Sequence, residues 1–158
     1  MSSKTNFVVK KGDLFQGAKK GSSFAHCISR DIKLGKGISV LFRERFGNIE
    51  ELRYQNSDVG DISTIMLDKN CFVYNLITKE KFNGKPSYES LEDCLLKMRH
   101  HAIEHGVREI SCPKLGCGLD NLREGLRIIS PLFSGHTSHL LKSFQVKAFC
   151  NMTENLSV

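Results

Sequence analysis

The run Glu109-Ile110-Ser111-Cys112, followed directly by Pro113-Lys114-Leu115-Gly116-Cys117-Gly118-Leu119-Asp120, constrains this chain more than any other stretch. A short β-type run leads into two glycines that flank one small residue, so the backbone bends tightly at the carboxyl end of a strand and a ligand can approach it closely. Asp120 stands at the lip of that turn and fits two roles: a carboxylate meeting the polar end of a ligand, or the N-cap of the helix that follows. Gly-x-Gly at a strand-to-helix junction is by itself often only a turn, so the rest of the chain has to decide.

The rest of the chain alternates. Residues 7–11 read as a strand stopped by Gly12, with residues 12–15 turning out of it, and residues 23–29 read as a short buried strand. A polar loop, Arg30-Asp31-Ile32-Lys33-Leu34-Gly35-Lys36-Gly37, carries a second Gly-x-Gly. From Ile38 the period changes: Ile38, Leu41, Phe42 and Phe46 fall at helical spacing, so an amphipathic helix emerges from that glycine loop and is closed by Gly47. Such an amino end carries unsatisfied N–H groups and a partial positive charge, which suit phosphates.

A short helix over 49–54 follows, then strands over 62–67 and 71–78 joined as a hairpin by Asp68-Lys69-Asn70, the second ending at Lys79. Ser87 caps a helix over 88–105, where Leu91, Cys94, Leu95, Met98 and Ala102 repeat at three and four and Gly106 is the stop. A strand over 107–112, a helix over about 122–133 and a strand over 145–149 complete the order. Strands separated by helices indicate an α/β domain with a mixed sheet covered on both faces, and such sheets bind ligands at the carboxyl edge of their strands.

Lys plus Arg total 23 against 17 Asp plus Glu, a net charge of +6 that favours polyanionic partners, although each basic cluster, such as Lys10-Lys11 or Lys19-Lys20, reads equally well as a solvated face. The six cysteines form no Cys-x-x-Cys pair and several lie in apolar runs, so buried free thiols are expected in place of disulfides or zinc ligands. The six histidines pair with no acids at the spacing of a metal site, and His100, His101 and His105 are expected on a solvated helix face. The first residues lack the apolar segment of a signal peptide and no long apolar run follows, so the expectation is an intracellular protein without a membrane span.

In chain order, Lys11-Gly12-Asp13-Leu14-Phe15, Ala25-His26-Cys27-Ile28-Ser29, Gly35-Lys36-Gly37-Ile38-Ser39-Val40-Leu41-Phe42, Leu76-Ile77-Thr78-Lys79, Lys85-Pro86-Ser87-Tyr88-Glu89 and the stretch from Pro113 to Asp120 resemble the macrodomain family, which binds ADP-ribose. The resemblance is closest to its terminal ADP-ribose protein glycohydrolase branch, also described as O-acetyl-ADP-ribose deacetylase. It covers roughly residues 10–122; beyond it, Gly125 and Pro131 interrupt the helix that the family pattern calls for.

The resemblance implies one three-layer α/β/α macrodomain over residues 1–158, with a central mixed sheet of about six strands, a core over 7–151 and a tail over 152–158. It implies an ADP-ribose pocket in which Asp13 accepts from the adenine amino group beside Leu14, against the alternative that Asp13 is a turn or capping residue. Phe149 lies against the adenosine or in the core, with Asn151 at the rim. Ser29, Gly35, Gly37 and Ile38 on one loop, and Lys114, Leu115, Gly116, Cys117, Gly118 and Leu119 on the other, wrap the diphosphate and distal ribose with backbone N–H groups.

Lys79 and Asp120 match the branch's catalytic lysine and aspartate. The lysine amine attacks the anomeric carbon of the distal ribose and displaces a glutamate or aspartate side chain; the aspartate relays protons. Outside the resemblance, Lys79 would be a surface residue at a strand end. The implied activity is a metal-independent hydrolase without cofactors, acting on ADP-ribosylated proteins. Poly(ADP-ribose) or ADP-ribosylated DNA are accessory partners, the protein is a monomer, and it works in the nucleus or cytoplasm. The alternative is a module that binds ADP-ribose or its polymer without turning it over.

Overall fold

The computed structural model describes residues 7–115 and 145–150. Its elements follow in the order β1 (Phe7–Lys11), α1 (Leu14–Gly17), β2 (Ser23–Ser29), α2 (Ile38–Phe46), α3 (Ile49–Gln55), β3 (Ile62–Asp68), β4 (Cys71–Lys79), α4 (Tyr88–Glu104), β5 (Glu109–Pro113) and β6 (Gln145–Cys150). The strands form one six-stranded sheet in the order β1-β6-β5-β2-β4-β3. Every neighbouring pair is parallel except β3 with β4, the expected hairpin. The mixed α/β sheet expected from the alternation of elements is therefore present. The expected helix over about 122–133 lies outside the described residues.

Side-chain alternation along the strands splits the core into two layers. On one face Leu91, Leu95, Met98 and Ala102 of α4 pack on Ala25, Tyr74, Leu76, Ile110, Val146 and Ala148. On the other, Leu14 of α1, Phe42 of α2 and Leu52 of α3 pack on Ile28, Ile65, Val73, Ile77 and Phe149. β4 is buried along its length except at Lys79, as a strand covered on both faces must be. Ring packing reinforces the second layer: Phe24 lies 5.2 Å from Phe46 and Phe15 lies 5.3 Å from Phe42, centroid to centroid.

Helix α4 shows how sequence sets its ends. Ser87 and Ser90 form a reciprocal capping box, with Ser90 N–H on Ser87 Oγ at 3.0 Å and Ser87 N–H on Ser90 Oγ at 3.3 Å. At the other end Gly106, at φ +64°, turns the chain left-handed, and the Val107 N–H returns to the Ala102 carbonyl at 2.9 Å. That is a Schellman closure. It also corrects the expected strand over 107–112: Val107 serves the helix terminus, and β5 runs Glu109–Pro113. A second correction is α1, where only a turn was expected; Asp13 Oδ1 accepts from the N–H groups of Phe15 and Gln16 at 2.9 and 3.0 Å and starts a four-residue helix.

Candidate active site

Because β1, β2, β4, β5 and β6 run parallel, their carboxyl ends collect on one edge of the sheet. The register brings Lys11 level with Cys150, Pro113 with Phe149, and Ser29 with Lys79. The loops that leave this edge hold Asp13 after β1, Gly35 and Gly37 after β2, and Lys114 and Leu115 after β5. The sequence-predicted residues among those described therefore meet on one edge. Gly116, Cys117, Gly118, Leu119, Asp120 and Asn151 lie outside the described residues.

Lys79 is half-buried at the end of β4, and its level with Ser29 comes from an irregularity. Ile28 pairs with Ile77, but Ser29 pairs with Lys79, so Thr78 is an extra residue on β4. A bulge of this kind re-aims the side chain that follows it, and bulges are over-represented beside active sites. Thr78 is buried, and its carbonyl accepts from Ser90 Oγ at 2.7 Å, which ties the bulge to the first turn of α4. Among the described residues its own hydroxyl has no hydrogen-bond partner.

The first residues after β2 are bonded to the segment that follows β4. The Arg30 N–H donates to the Lys79 carbonyl at 2.8 Å and the Asp31 N–H to the Glu80 carbonyl at 3.3 Å. Ser29 Oγ donates to Asp31 Oδ1 at 2.5 Å, and the Phe82 N–H donates to Asp31 Oδ2 at 3.1 Å. The Lys33 ammonium sits 4.4 Å from the centroid of the Phe82 ring. Arg30 reaches Asp58 at 2.8 Å and Glu80 at 3.5 Å, exposed pairs of small energetic weight. Burial pushes the Asp31 carboxyl up, but the Ser29 hydroxyl, the Phe82 N–H and the Lys33 charge more than reverse this and hold it below the ordinary carboxylate value. It is ionised at neutral pH.

The same loop carries strain. Ile32 and Leu34 adopt φ of +53° and +32°, a region that β-branched and bulky residues avoid. Both side chains are buried against Phe42, Leu52 and Ile77, and that burial holds the conformation. The loop then opens into α2 at Gly37, φ +61°, with no side chain capping the helix start. A glycine here supplies the left-handed turn and offers the first-turn N–H groups no capping side chain of its own. Ile38 is half-buried and begins the helix.

Behind the loop the ring of His26 lies flat on Phe42, 3.8 Å between centroids, and its Nε2 is 2.6 Å from Asn75 Oδ1. Since Asn75 Nδ2 donates to the Ser63 carbonyl at 3.2 Å, Oδ1 is the acceptor and the proton sits on His26 Nε2. Burial drives this imidazole down to about 4 against the raising effect of Asn75, so the ring is neutral.

Other candidates take structural positions. Leu14 is buried in the α2-side layer and Leu115 in the α4-side layer. Phe149 is 3% exposed and its ring packs on Gly17, where an added Cβ would meet Cε1 at 2.4 Å. The capping alternative for Asp13 is occupied by its Oδ1. Asp31, Phe82 and the Thr78 bulge were not singled out by the sequence; the one available signal was an aspartate two residues beyond a serine in a polar loop, a common local hydrogen-bonding pattern. Among the described residues no three His, Cys, Asp or Glu side chains cluster as metal ligands, and no helix is long and apolar enough to cross a membrane.

No protein-family model matches the chain. Among curated proteins it is 43% identical over 113 residues to human ADP-ribose glycohydrolase OARD1, spanning 72% of this chain and 73% of that protein. Among solved structures, the macrodomain of Thermus aquaticus DarG superposes with a TM-score of 0.74 at 18% identity, covering 91% of this chain and 97% of that one. Thermosipho africanus DarTG in complex with ADP-ribose gives 0.73 at 13% identity, covering 92% of this chain and 42% of that one. The structures carry the fold, and the human relative carries the branch. The chain belongs to the macrodomain family, among its OARD1-type ADP-ribose glycohydrolases.

Proposed function

We propose that this chain hydrolyses the bond between the distal ribose of ADP-ribose and a glutamate or aspartate side chain, releasing mono- or terminal ADP-ribose from proteins, and that it also deacetylates O-acetyl-ADP-ribose. Lys79, at the carboxyl edge of the sheet and level with Ser29, carries this reading. Its amine attacks the anomeric carbon, the ribose–carboxylate bond breaks and the carboxylate leaves. Water then cleaves the lysyl-sugar bond, regenerating the amine and freeing ADP-ribose. Asp120 moves the protons in both halves.

Backbone N–H groups of the Gly35–Ile38 turn, and of the loop that begins at Lys114, hold the diphosphate, while Asp13 and Phe149 border the adenosine. The net charge of +6 favours poly(ADP-ribose) or ADP-ribosylated DNA as accessory partners of a monomer working inside the cell. The test is incubation of the protein, with chelator present, with a protein bearing glutamate-linked ADP-ribose. Free ADP-ribose and an unmodified acceptor are expected. Tight ADP-ribose binding without release would make the chain a reader module.

A further inference from the structure

We propose that Asp31 is a positioning residue for this hydrolysis: its two carboxylate oxygens lock the ligand-holding turn after β2 onto the lysine-bearing end of β4. The proposal rests on the glycohydrolase reading and adds a residue that neither binds substrate nor exchanges a proton.

The argument is geometric. Asp31 Oδ1 takes the Ser29 hydroxyl at 2.5 Å and Oδ2 takes the Phe82 N–H at 3.1 Å, so one side chain joins residues 29 and 82 across two loops. On the near side lies Ser29, the residue level with Lys79, followed by the strained turn through Ile32 and Leu34 that leads to Gly37. On the far side Phe82 lies three residues beyond Lys79. The backbone bonds from Arg30 and Asp31 to the Lys79 and Glu80 carbonyls fix the strand end itself, but they stop at Glu80. Beyond that point Asp31 Oδ2 and the Lys33 ammonium over the Phe82 ring tie the two loops together. Asp31 is thus the hinge pin between a segment that holds the diphosphate and a segment that carries the nucleophile.

Positioning of this kind acts on the reacting geometry more than on ground-state binding, and a misplacement of about 1 Å costs on the order of a hundredfold in rate. Two chemical properties separate it from a charge effect. Asparagine at 31 can accept the Phe82 N–H with its oxygen and donate to Ser29 Oγ, because a hydroxyl rotates to accept. Alanine can do neither.

The experiment compares wild type, Asp31→Ala, Asp31→Asn and Gln55→Ala by steady-state kinetics on glutamate-linked ADP-ribosyl protein, with melting temperatures and ADP-ribose affinity measured on each. Gln55 brackets the Thr64 backbone at 2.8 and 3.0 Å on the far side of β3, so its alanine variant loses comparable hydrogen bonding away from the site. We expect Asp31→Ala to lower kcat about a hundredfold with KM within about threefold, Asp31→Asn to recover kcat to within about fivefold of wild type, and Gln55→Ala to keep wild-type kcat. Wild-type kcat in Asp31→Ala overturns the proposal, and so does equal loss in the alanine and asparagine variants, which would mean that the charge matters.

Amide hydrogen exchange at Phe82 reads the lock without turnover: fast exchange in Asp31→Ala and slow exchange in Asp31→Asn are expected, and unchanged protection in Asp31→Ala overturns the lock even in a protein that turns nothing over. A wild type that binds ADP-ribose with Phe82 protected but hydrolyses nothing would instead overturn the glycohydrolase reading.

Discussion

Ser29 and Lys79 stand level across the β2–β4 ladder because β4 carries one residue, Thr78, that β2 does not match. The consequence is a shift in which residue of β4 ends the ladder. A regular ladder would set Thr78 beside Ser29, and Lys79 would fall beyond the end of β2. The bulge brings the lysine level with the start of the glycine loop, the position that the proposed function requires of a nucleophile for the distal ribose.

The bulge is held from the α4 side by Ser90, whose hydroxyl lies 2.7 Å from the Thr78 carbonyl while also completing the capping box with Ser87. Ser90→Ala leaves a buried carbonyl without that donor and removes half of the box. The expected loss is about 1–3 kcal/mol in urea denaturation, with a fall in kcat at temperatures well below unfolding. A variant that loses stability but keeps full kcat would show that the bulge holds its shape without Ser90.

Gly17 closes α1 against the ring of Phe149, and a Cβ there would meet the ring at 2.4 Å. Gly17→Ala is expected to destabilise by about 1–3 kcal/mol through overpacking. Adding Phe149→Leu, which makes room, should return part of that loss. A Gly17→Ala protein as stable as wild type in chemical denaturation would contradict the packing.

His26 gives the protein a pH dependence whose sign follows from burial. Its folded value is about 4 against an ordinary 6.5, so the unfolded chain takes up the proton first as pH falls. The stability it confers is complete above about pH 6.5 and is lost progressively down to about pH 4, some 3 kcal/mol in all. His26→Gln keeps a donor for Asn75 and removes the titration. Between pH 7 and pH 4.5 wild type should lose about 2–3 kcal/mol more stability than this variant. Parallel stability curves for the two proteins would contradict a neutral buried imidazole.

The sequence made the strands legible as short apolar runs bounded by turns and the long helices legible through repeats at three and four: residues 23–29 and 38–46 carry the expected elements to the residue. It did not reveal α1, because four residues are too few for a period to show and an aspartate after a strand suits a turn as well as a helix cap. Val107 lies outside β5 because it closes the end of α4, and an apolar residue in that role has the same sequence signature as the start of a β run. The edge that gathers the candidate residues was legible, since glycine loops follow the strands that end there. The Thr78 bulge and the Asp31 lock were not: both depend on which atoms face each other across strands that are distant in sequence, and neither leaves a periodic trace.

The central claim, that the Lys79 amine is the nucleophile, is tested most directly by quenching the protein during turnover of glutamate-linked ADP-ribosyl substrate and mapping the covalent adduct by mass spectrometry. One ADP-ribosyl group on Lys79, absent from Lys79→Ala, which binds ADP-ribose but releases none from substrate, is the predicted result. Wild-type release by Lys79→Ala, with the adduct absent from Lys79 in the wild type, would contradict it.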